Sequence, residues 1–144
     1  NYDVICCACG TGGTIAGLIA STEKTVLGFP ALKGGGFLKE DIQHFLLKYK
    51  TEFDEEIENT DWKLITDYHF GGYAKIKPEL VNFIREFKNN HNILLDFIYT
   101  GKMLFGLYDM IRNSNKFDNK TIIVLHTGGV QGNKGFEERM GIVL

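Results

Sequence analysis

Apolar positions along the chain switch repeatedly between two periods. Val4-Ile5-Cys6-Cys7-Ala8 is a continuous apolar run ended by glycines, the pattern of a strand buried on both faces. Ala16-Gly17-Leu18-Ile19-Ala20 continues as a small-residue helix, and Thr25-Val26-Leu27-Gly28 reads as a second strand whose exit is punctuated by Pro30 and Gly34-Gly35-Gly36. Leu38, Ile42, Phe45, Leu46 and Tyr49 recur at helical spacing with charged and polar residues between them, which predicts an amphipathic helix followed by a solvated acidic loop at Asp54-Glu55-Glu56. Trp62, Leu64 and Thr66 alternate with Lys63, Ile65 and Asp67 as in a strand, ended by Gly71-Gly72. Pro78 opens a further helix, at a position where its missing N–H costs nothing, with Leu80, Val81, Ile84 and Phe87 facing inward. Asn89-Asn90-His91-Asn92 stops it and Ile93-Leu94-Leu95 reads as another brief strand. Thr100 is placed to cap a helix carrying Met103, Leu107 and Ile111, and Thr121-Ile122-Ile123-Val124-Leu125 forms the last strand. Strands alternating with helices predict a single α/β unit over residues 1–144, built on an open, mostly parallel twisted sheet with helices on both faces.

Composition narrows what such a unit does. The 144 residues are 44% hydrophobic, enough for one core and too few for two full domains. A formal charge of −2 and no run of Lys and Arg give no attraction to nucleic acid or an anionic membrane, so small-molecule chemistry is the expectation. No stretch reaches bilayer length, Asn1-Tyr2-Asp3 lacks the basic start of a signal peptide, and a cytoplasmic location is expected. Cys6, Cys7 and Cys9 are too crowded for a disulfide framework and fit a reducing compartment. Cys6 and Cys7 would point to opposite faces of a strand, and no second ligand pair follows, which argues against zinc. A start without Met inside a hydrophobic run reads as the beginning of a fragment.

In open parallel sheets, ligands sit where strand ends run into helices. The first such place is Cys9-Gly10-Thr11-Gly12-Gly13-Thr14. Glycines let successive backbone N–H groups converge on one anion, the helix terminus adds positive potential, and the threonines add hydroxyl donors. A nucleoside-triphosphate loop would need Lys and then Ser or Thr after the last glycine, where this one has Thr14-Ile15. A dinucleotide fingerprint would need its third glycine where Ile15 stands. The loop alone leaves two readings, a cradle for some other phosphate or a glycine turn that binds nothing.

Three segments together carry a resemblance. Gly10-Thr11-Gly12-Gly13-Thr14-Ile15-Ala16-Gly17-Leu18 resembles the glycine loop of fold-type-II pyridoxal-phosphate enzymes. Leu95-Asp96-Phe97-Ile98-Tyr99-Thr100-Gly101-Lys102 resembles the "DPVYTGK" segment, and Leu125-His126-Thr127-Gly128-Gly129 the "HTGG" segment, of the D-cysteine desulfhydrase and 1-aminocyclopropane-1-carboxylate deaminase group. The separation of Tyr73 from Tyr99 matches that between the group's two active-site tyrosines.

The resemblance implies that the chain is part of the large domain of such an enzyme, its C-terminal portion. Gly10, Thr11, Gly12, Gly13, Thr14, Thr100 and Thr127 are implied as cofactor-binding residues for pyridoxal 5'-phosphate, and Tyr73 and Tyr99 as the catalytic pair, one phenol assisting proton or nucleophile chemistry at the substrate. Two packed aromatics at a strand end, and Thr100 as a mere helix cap, are the structural alternatives. Ring-opening deaminases carry Glu after the active-site tyrosine and Leu before the Gly-Gly pair; Thr100 and Thr127 stand there instead. A neutral hydroxyl beside the pyridine nitrogen makes a weaker electron sink than a carboxylate, which favours β-elimination from a small amino acid, D-cysteine, giving pyruvate, ammonia and sulfide. The alternatives are the hydrolase reaction of a 1-aminocyclopropane-1-carboxylate deaminase and a non-catalytic module for a phosphorylated metabolite. Phe97, where the family has Pro, and Ala74-Lys75 depart from the pattern. The Schiff-base Lys of the family lies upstream of the glycine loop, so Lys75, Lys77 and Lys102 are not expected to serve. The missing N-terminal segment is an expected partner, as is a second copy in a homodimer.

Overall fold

The computed structural model describes residues 1–144. Four parallel strands, β1 (Val4–Cys9), β2 (Thr25–Pro30), β3 (Trp62–Leu64) and β4 (Ile122–Val124), lie in the order β3-β2-β1-β4. Five helices connect and flank them: α1 (Gly13–Ser21), α2 (Leu38–Phe53), α3 (Pro78–His91), α4 (Thr100–Asn113) and α5 (Asn133–Met140).

The central strand shows why both faces are covered. Successive side chains of β1 alternate across the sheet. Val4 and Cys6 enter a core built with Leu27, Phe29, Leu80, Ile84, Met103 and Leu107 from β2, α3 and α4. Ile5, Cys7 and Cys9 enter a second core with Ile15, Ile19, Val26, Leu38 and Ile42 from β2, α1 and α2. Cys6 and Cys7 are therefore fully buried on opposite sides and are free thiols. Burial, with Cys7 adjacent, pushes the Cys6 thiol up to about 12, and Cys7 and burial push Cys9 up as well, so both stay protonated and unreactive. No helix is long and apolar enough to cross a membrane.

Close packing of α1 on the sheet depends on Gly28 in β2, where a side chain would collide with Ile15 and Cys9. That contact sets α1 directly behind β1 and aims its first turn along the strand's carboxyl end. Strand β1 thus delivers the chain into α1 through three residues only, Gly10 to Gly12.

Three expectations are corrected. Residues 93–95 form no strand: the Leu94 carbonyl accepts from His126 Nε2 at 2.8 Å and the Leu95 carbonyl from Asn133 Nδ2 at 3.0 Å, so side chains take the places of a sheet ladder. Thr100 does not cap α4. Its hydroxyl donates to Asp96 Oδ1 at 2.7 Å, while the Asp96 carboxylate accepts the backbone N–H groups of Ile98, Tyr99 and Thr100 at 2.7 to 2.8 Å, which makes Asp96 the cap. Strand β3 is also shorter than its alternation suggests. It stops at Leu64, and the chain to Lys77 winds through left-handed conformations at Phe70, Gly71, Gly72 and Ala74.

Phe97 is fully buried, 5.5 Å ring to ring from Phe136 of α5. Burying a Phe contributes about 1.5–3 kcal/mol relative to exposure. The departure from Pro at this position is thus absorbed in packing beneath the sheet end.

Candidate functional site

A cleft of about 410 Å³ opens at the carboxyl ends of β1 and β4. One wall is residues 8–15, the other Thr127, Gly128, Gly129 and Gln131, with Tyr99 between them. The elements that make each wall follow from the local sequence. Gly12, at φ 89°, is the N-cap of α1 and turns the chain through a conformation that L side chains rarely adopt. No side chain caps α1 and no acidic residue occupies its first turn, so its leading N–H groups face the cleft without a competing acceptor. Facing them, Gly128 and Gly129 both sit at φ 92°, and a Cβ on Gly129 would press against the Asp96 carboxyl at 3.0 Å.

Neither wall contributes a charged side chain. What the cleft offers an anion is neutral: aligned N–H dipoles, the positive end of α1, and the threonine hydroxyls of its rim. A divalent phosphate suits such a site, since converging backbone donors hold it without a buried cation. Lys75, Lys77 and Lys102 all lie outside the lining, and no group of three or more His, Cys, Asp or Glu is placed to hold a metal ion.

Tyr99 is held rigidly. The Asp96 cap fixes its backbone N–H, and a side chain on Gly10 would come within 3.5 Å of its ring, so the glycine loop passes close over the phenol. Burial first, then the Tyr73 hydroxyl and the Asp96 charge, push the Tyr99 phenol up to about 12. It therefore carries its proton throughout the neutral range and is built to donate rather than to act as a phenolate. Tyr73 meets it edge-on, ring centroids 6.2 Å apart, but is itself 51% exposed and stands at the margin of the cleft.

The folded chain holds the Tyr99 proton more tightly than the unfolded chain. The stability linked to it is fully present below pH 10, the ordinary tyrosine value, and is lost as pH rises towards 12. A phenolate absorbance titration of the protein against its Tyr99→Phe variant is expected to show one tyrosine ionising near 12; a difference curve centred near 10 would contradict it.

The sequence-predicted residues sort into three positions. Gly10, Thr11, Gly12, Gly13, Thr14, Tyr99 and Thr127 all line the cleft, although they come from three separate segments. Tyr73 adjoins it through Tyr99. Thr100 lies outside the lining, wholly buried, with its hydroxyl proton committed to Asp96 and its oxygen accepting the Asp96 N–H at 3.1 Å. His126 has both ring nitrogens engaged, Nε2 with the Leu94 carbonyl and Nδ1 with the Gly128 N–H at 3.2 Å, so it braces the wall.

Sequence reasoning passed over Asp96, Asn133 and Gln131. Asp96 stands four positions before Thr100, a spacing at which either residue could cap the helix. Asn133 donates to the Leu95 carbonyl and accepts from the Phe97 N–H at 3.3 Å, a long-range tie with no local signal. Gln131 reaches the cleft only because the double glycine turns the chain back over it.

Comparison with known proteins bears directly on this geometry. No family sequence model matches the chain. A Thermotoga maritima protein named provisionally as a 1-aminocyclopropane-1-carboxylate deaminase is 33% identical over 138 residues, 92% of this chain and 43% of that one. The Arabidopsis thaliana bifunctional D-cysteine desulfhydrase/1-aminocyclopropane-1-carboxylate deaminase, mitochondrial, is 27% identical over 92% of this chain and 33% of its own length. A crystal structure of a 1-aminocyclopropane-1-carboxylate deaminase homologue superposes with a TM-score of 0.83 at 27% identity, covering 96% of this chain and 43% of that one. The chain thus spans well under half the length of the relatives it matches.

Proposed function

Because this chain is homologous over nearly its whole length to the fold-type-II pyridoxal-phosphate enzymes of the 1-aminocyclopropane-1-carboxylate deaminase and D-cysteine desulfhydrase family, we propose that its cleft is the cofactor-phosphate end of an amino-acid lyase. The preferred reaction is β-elimination from D-cysteine, which with one water gives sulfide, ammonia and pyruvate. One observation carries the reading above the rest. Residues from three distant segments converge on a neutral, donor-lined cleft with a protonated phenol at its centre.

Pyridoxal phosphate, when bound, supplies the electron sink that accepts the pair left at the substrate's α-carbon. The chain's own residues supply the rest. The N–H groups of the Gly10 to Thr14 loop and the α1 terminus, with the Thr11 and Thr14 hydroxyls, hold the phosphate. Gly12 and Gly129 let backbone approach where a side chain would intrude. Tyr99 Oη keeps its proton and has it to give to a leaving group, with Tyr73 packed against its ring. Of the two threonines that stand where ring-opening deaminases carry Glu and Leu, Thr127 lines the cleft while the Thr100 proton is already committed. Thr127 is therefore the one assigned to the pyridine nitrogen.

The amine that would hold the cofactor is assigned to a segment upstream of this chain, part of a longer protein that also closes the substrate side and pairs as a homodimer. The 144 residues alone are expected to show no turnover. In the longer protein, D-cysteine is expected to yield sulfide and pyruvate in equal amounts, with kcat/KM at least about tenfold above that for 2-oxobutyrate formation from 1-aminocyclopropane-1-carboxylate, a margin of about 1.4 kcal/mol. Ring opening without sulfide would replace the elimination reading with the deaminase one. Products from neither substrate would leave a phosphate-metabolite binding module.

A further inference from the structure

Lys102 is the one lysine of the chain that is buried, 2% exposed at the start of α4. It makes no ion pair, for the salt bridges of the molecule are confined to Lys48–Glu52 and Lys50–Glu56 on the surface. Its ammonium instead donates to the carbonyls of Gly72 at 2.8 Å and His69 at 2.9 Å, with the Ala31 carbonyl at 3.5 Å. A buried ammonium is tolerated only where such acceptors are already arranged around it. Burial lowers its pKa to about 8 while the Asp96 charge opposes that shift, so it remains a cation at neutral pH.

The carbonyls belong to segments that nothing else joins by hydrogen bonds. Residues 69–75 carry Tyr73, and the remaining hydrogen bonds of their backbone are all internal: Gly72 N–H to the His69 carbonyl, Lys75 N–H to the Gly72 carbonyl, and Gly71 N–H to His69 Nδ1. The two Lys102 bonds are the hydrogen bonds that tie the backbone of this loop to the rest of the protein. Phe70 adds an edge-on contact with Phe105 of α4, ring centroids 4.9 Å apart, and Ala74 packs against the first core. Four residues of the loop, Phe70, Gly71, Gly72 and Ala74, hold left-handed φ values, three of them within the run 70–72. Phe70 and Ala74, which are not glycines, are strained there, and a backbone holding two such torsions keeps one conformation only when its surroundings fix it.

We propose that Lys102 is a positioning residue, an internal cation that clasps the His69–Gly72 turn to the start of α4 and so holds Tyr73 edge-on to Tyr99. Its place three positions after Tyr99 gives the two rings a common anchor. The cap at Asp96 fixes Tyr99 from the N-terminal side of α4, and the ammonium fixes Tyr73 from the same helix one turn on. The proposal rests on the reading of Tyr73 and Tyr99 as the active-site pair for its catalytic consequence, but the clasp itself does not.

Two variants of the longer protein test it. Lys102→Met keeps the aliphatic stem and removes the donors. Amide hydrogen exchange at residues 69–75 is expected to accelerate at least about tenfold while exchange in β1 and α1 is unchanged, and kcat for elimination to fall about tenfold or more with KM within about threefold. Lys102→Ala leaves room for an added amine, and propylammonium is expected to restore both exchange protection and kcat in that variant and neither in Lys102→Met. Unchanged exchange at residues 69–75 in Lys102→Met, or no rescue of Lys102→Ala by propylammonium, would overturn the clasp. Exchange that accelerates and is rescued, in a protein that never turns over D-cysteine, would uphold the clasp and count against the proposed reaction alone.

Discussion

Tyr99→Phe in the longer protein is expected to lower kcat for D-cysteine elimination by about a hundredfold or more and to leave KM within about threefold. The substitution removes one hydroxyl and keeps the ring, so the contact with the glycine loop and the edge-on packing of Tyr73 persist. A positioned proton donor contributes about 10²–10⁴ to rate. Its effect falls on kcat because the proton is needed once a leaving group departs, not when substrate binds. The raised pKa fixes the form of the profile as well: with its phenol protonated up to about 12, Tyr99 should impose no limb of its own on activity between neutrality and pH 10. A variant with kcat within threefold of the parent would remove Tyr99 from the chemistry and return it to packing. Tyr73→Phe should cost less, since that hydroxyl stands at the exposed margin.

The second large effect is expected at Gly12. Valine there would have to adopt φ 89°, and its Cβ would stand 3.0 Å from Ile42 Cγ1, a buried side chain of the second core. Held strain of this kind costs about 1–3 kcal/mol, and relieving it would rotate the N–H groups that converge on the phosphate. Gly12→Val should therefore weaken pyridoxal-phosphate binding about tenfold to a thousandfold. Gly17→Ala makes the matched control: it lies in the same helix, and a Cβ there meets nothing within 4 Å. Equal affinity in the two variants would mean that the loop geometry does not serve a phosphate.

How far the sequence led can be judged from particular residues. The central strand and its glycine loop were legible because buried strands read as unbroken apolar runs and because few residues besides Gly allow the turn that Gly12 makes. Helices α2 and α3 were legible from their apolar spacing, and Pro78 opens α3 as expected, although the helix runs on through Asn89-Asn90-His91 and stops only at Asn92, a left-handed C-cap. One failure has its cause in partners distant in sequence. The Leu94 and Leu95 carbonyls are satisfied by His126 and Asn133, more than thirty positions on, so a segment with strand composition joins no sheet. Helix α5 has only Asn133 and Phe136 buried and Gly135 within it, too little periodicity to announce itself.

The same limit applied at the site. Motifs located the two walls of the cleft, since each is a local glycine turn. They gave the cap of α4 to Thr100 and passed over Asp96, because both residue types cap helices and only the fold shows which one does. Lys102 was set aside as a Schiff-base residue and had no local signal for another role. Only the fold shows three carbonyls converging on it from residues 30 to 71 positions away.

The central claim is that this cleft holds the phosphate of pyridoxal phosphate in an eliminating enzyme. The absorption spectrum of the longer protein, recorded with the cofactor and again after adding D-cysteine, tests it most directly. The account predicts a visible cofactor band, abolished or severely weakened by Gly12→Val, that changes on addition of D-cysteine as sulfide appears. A protein that acquires no band, or one whose band is indifferent to Gly12→Val, would contradict it.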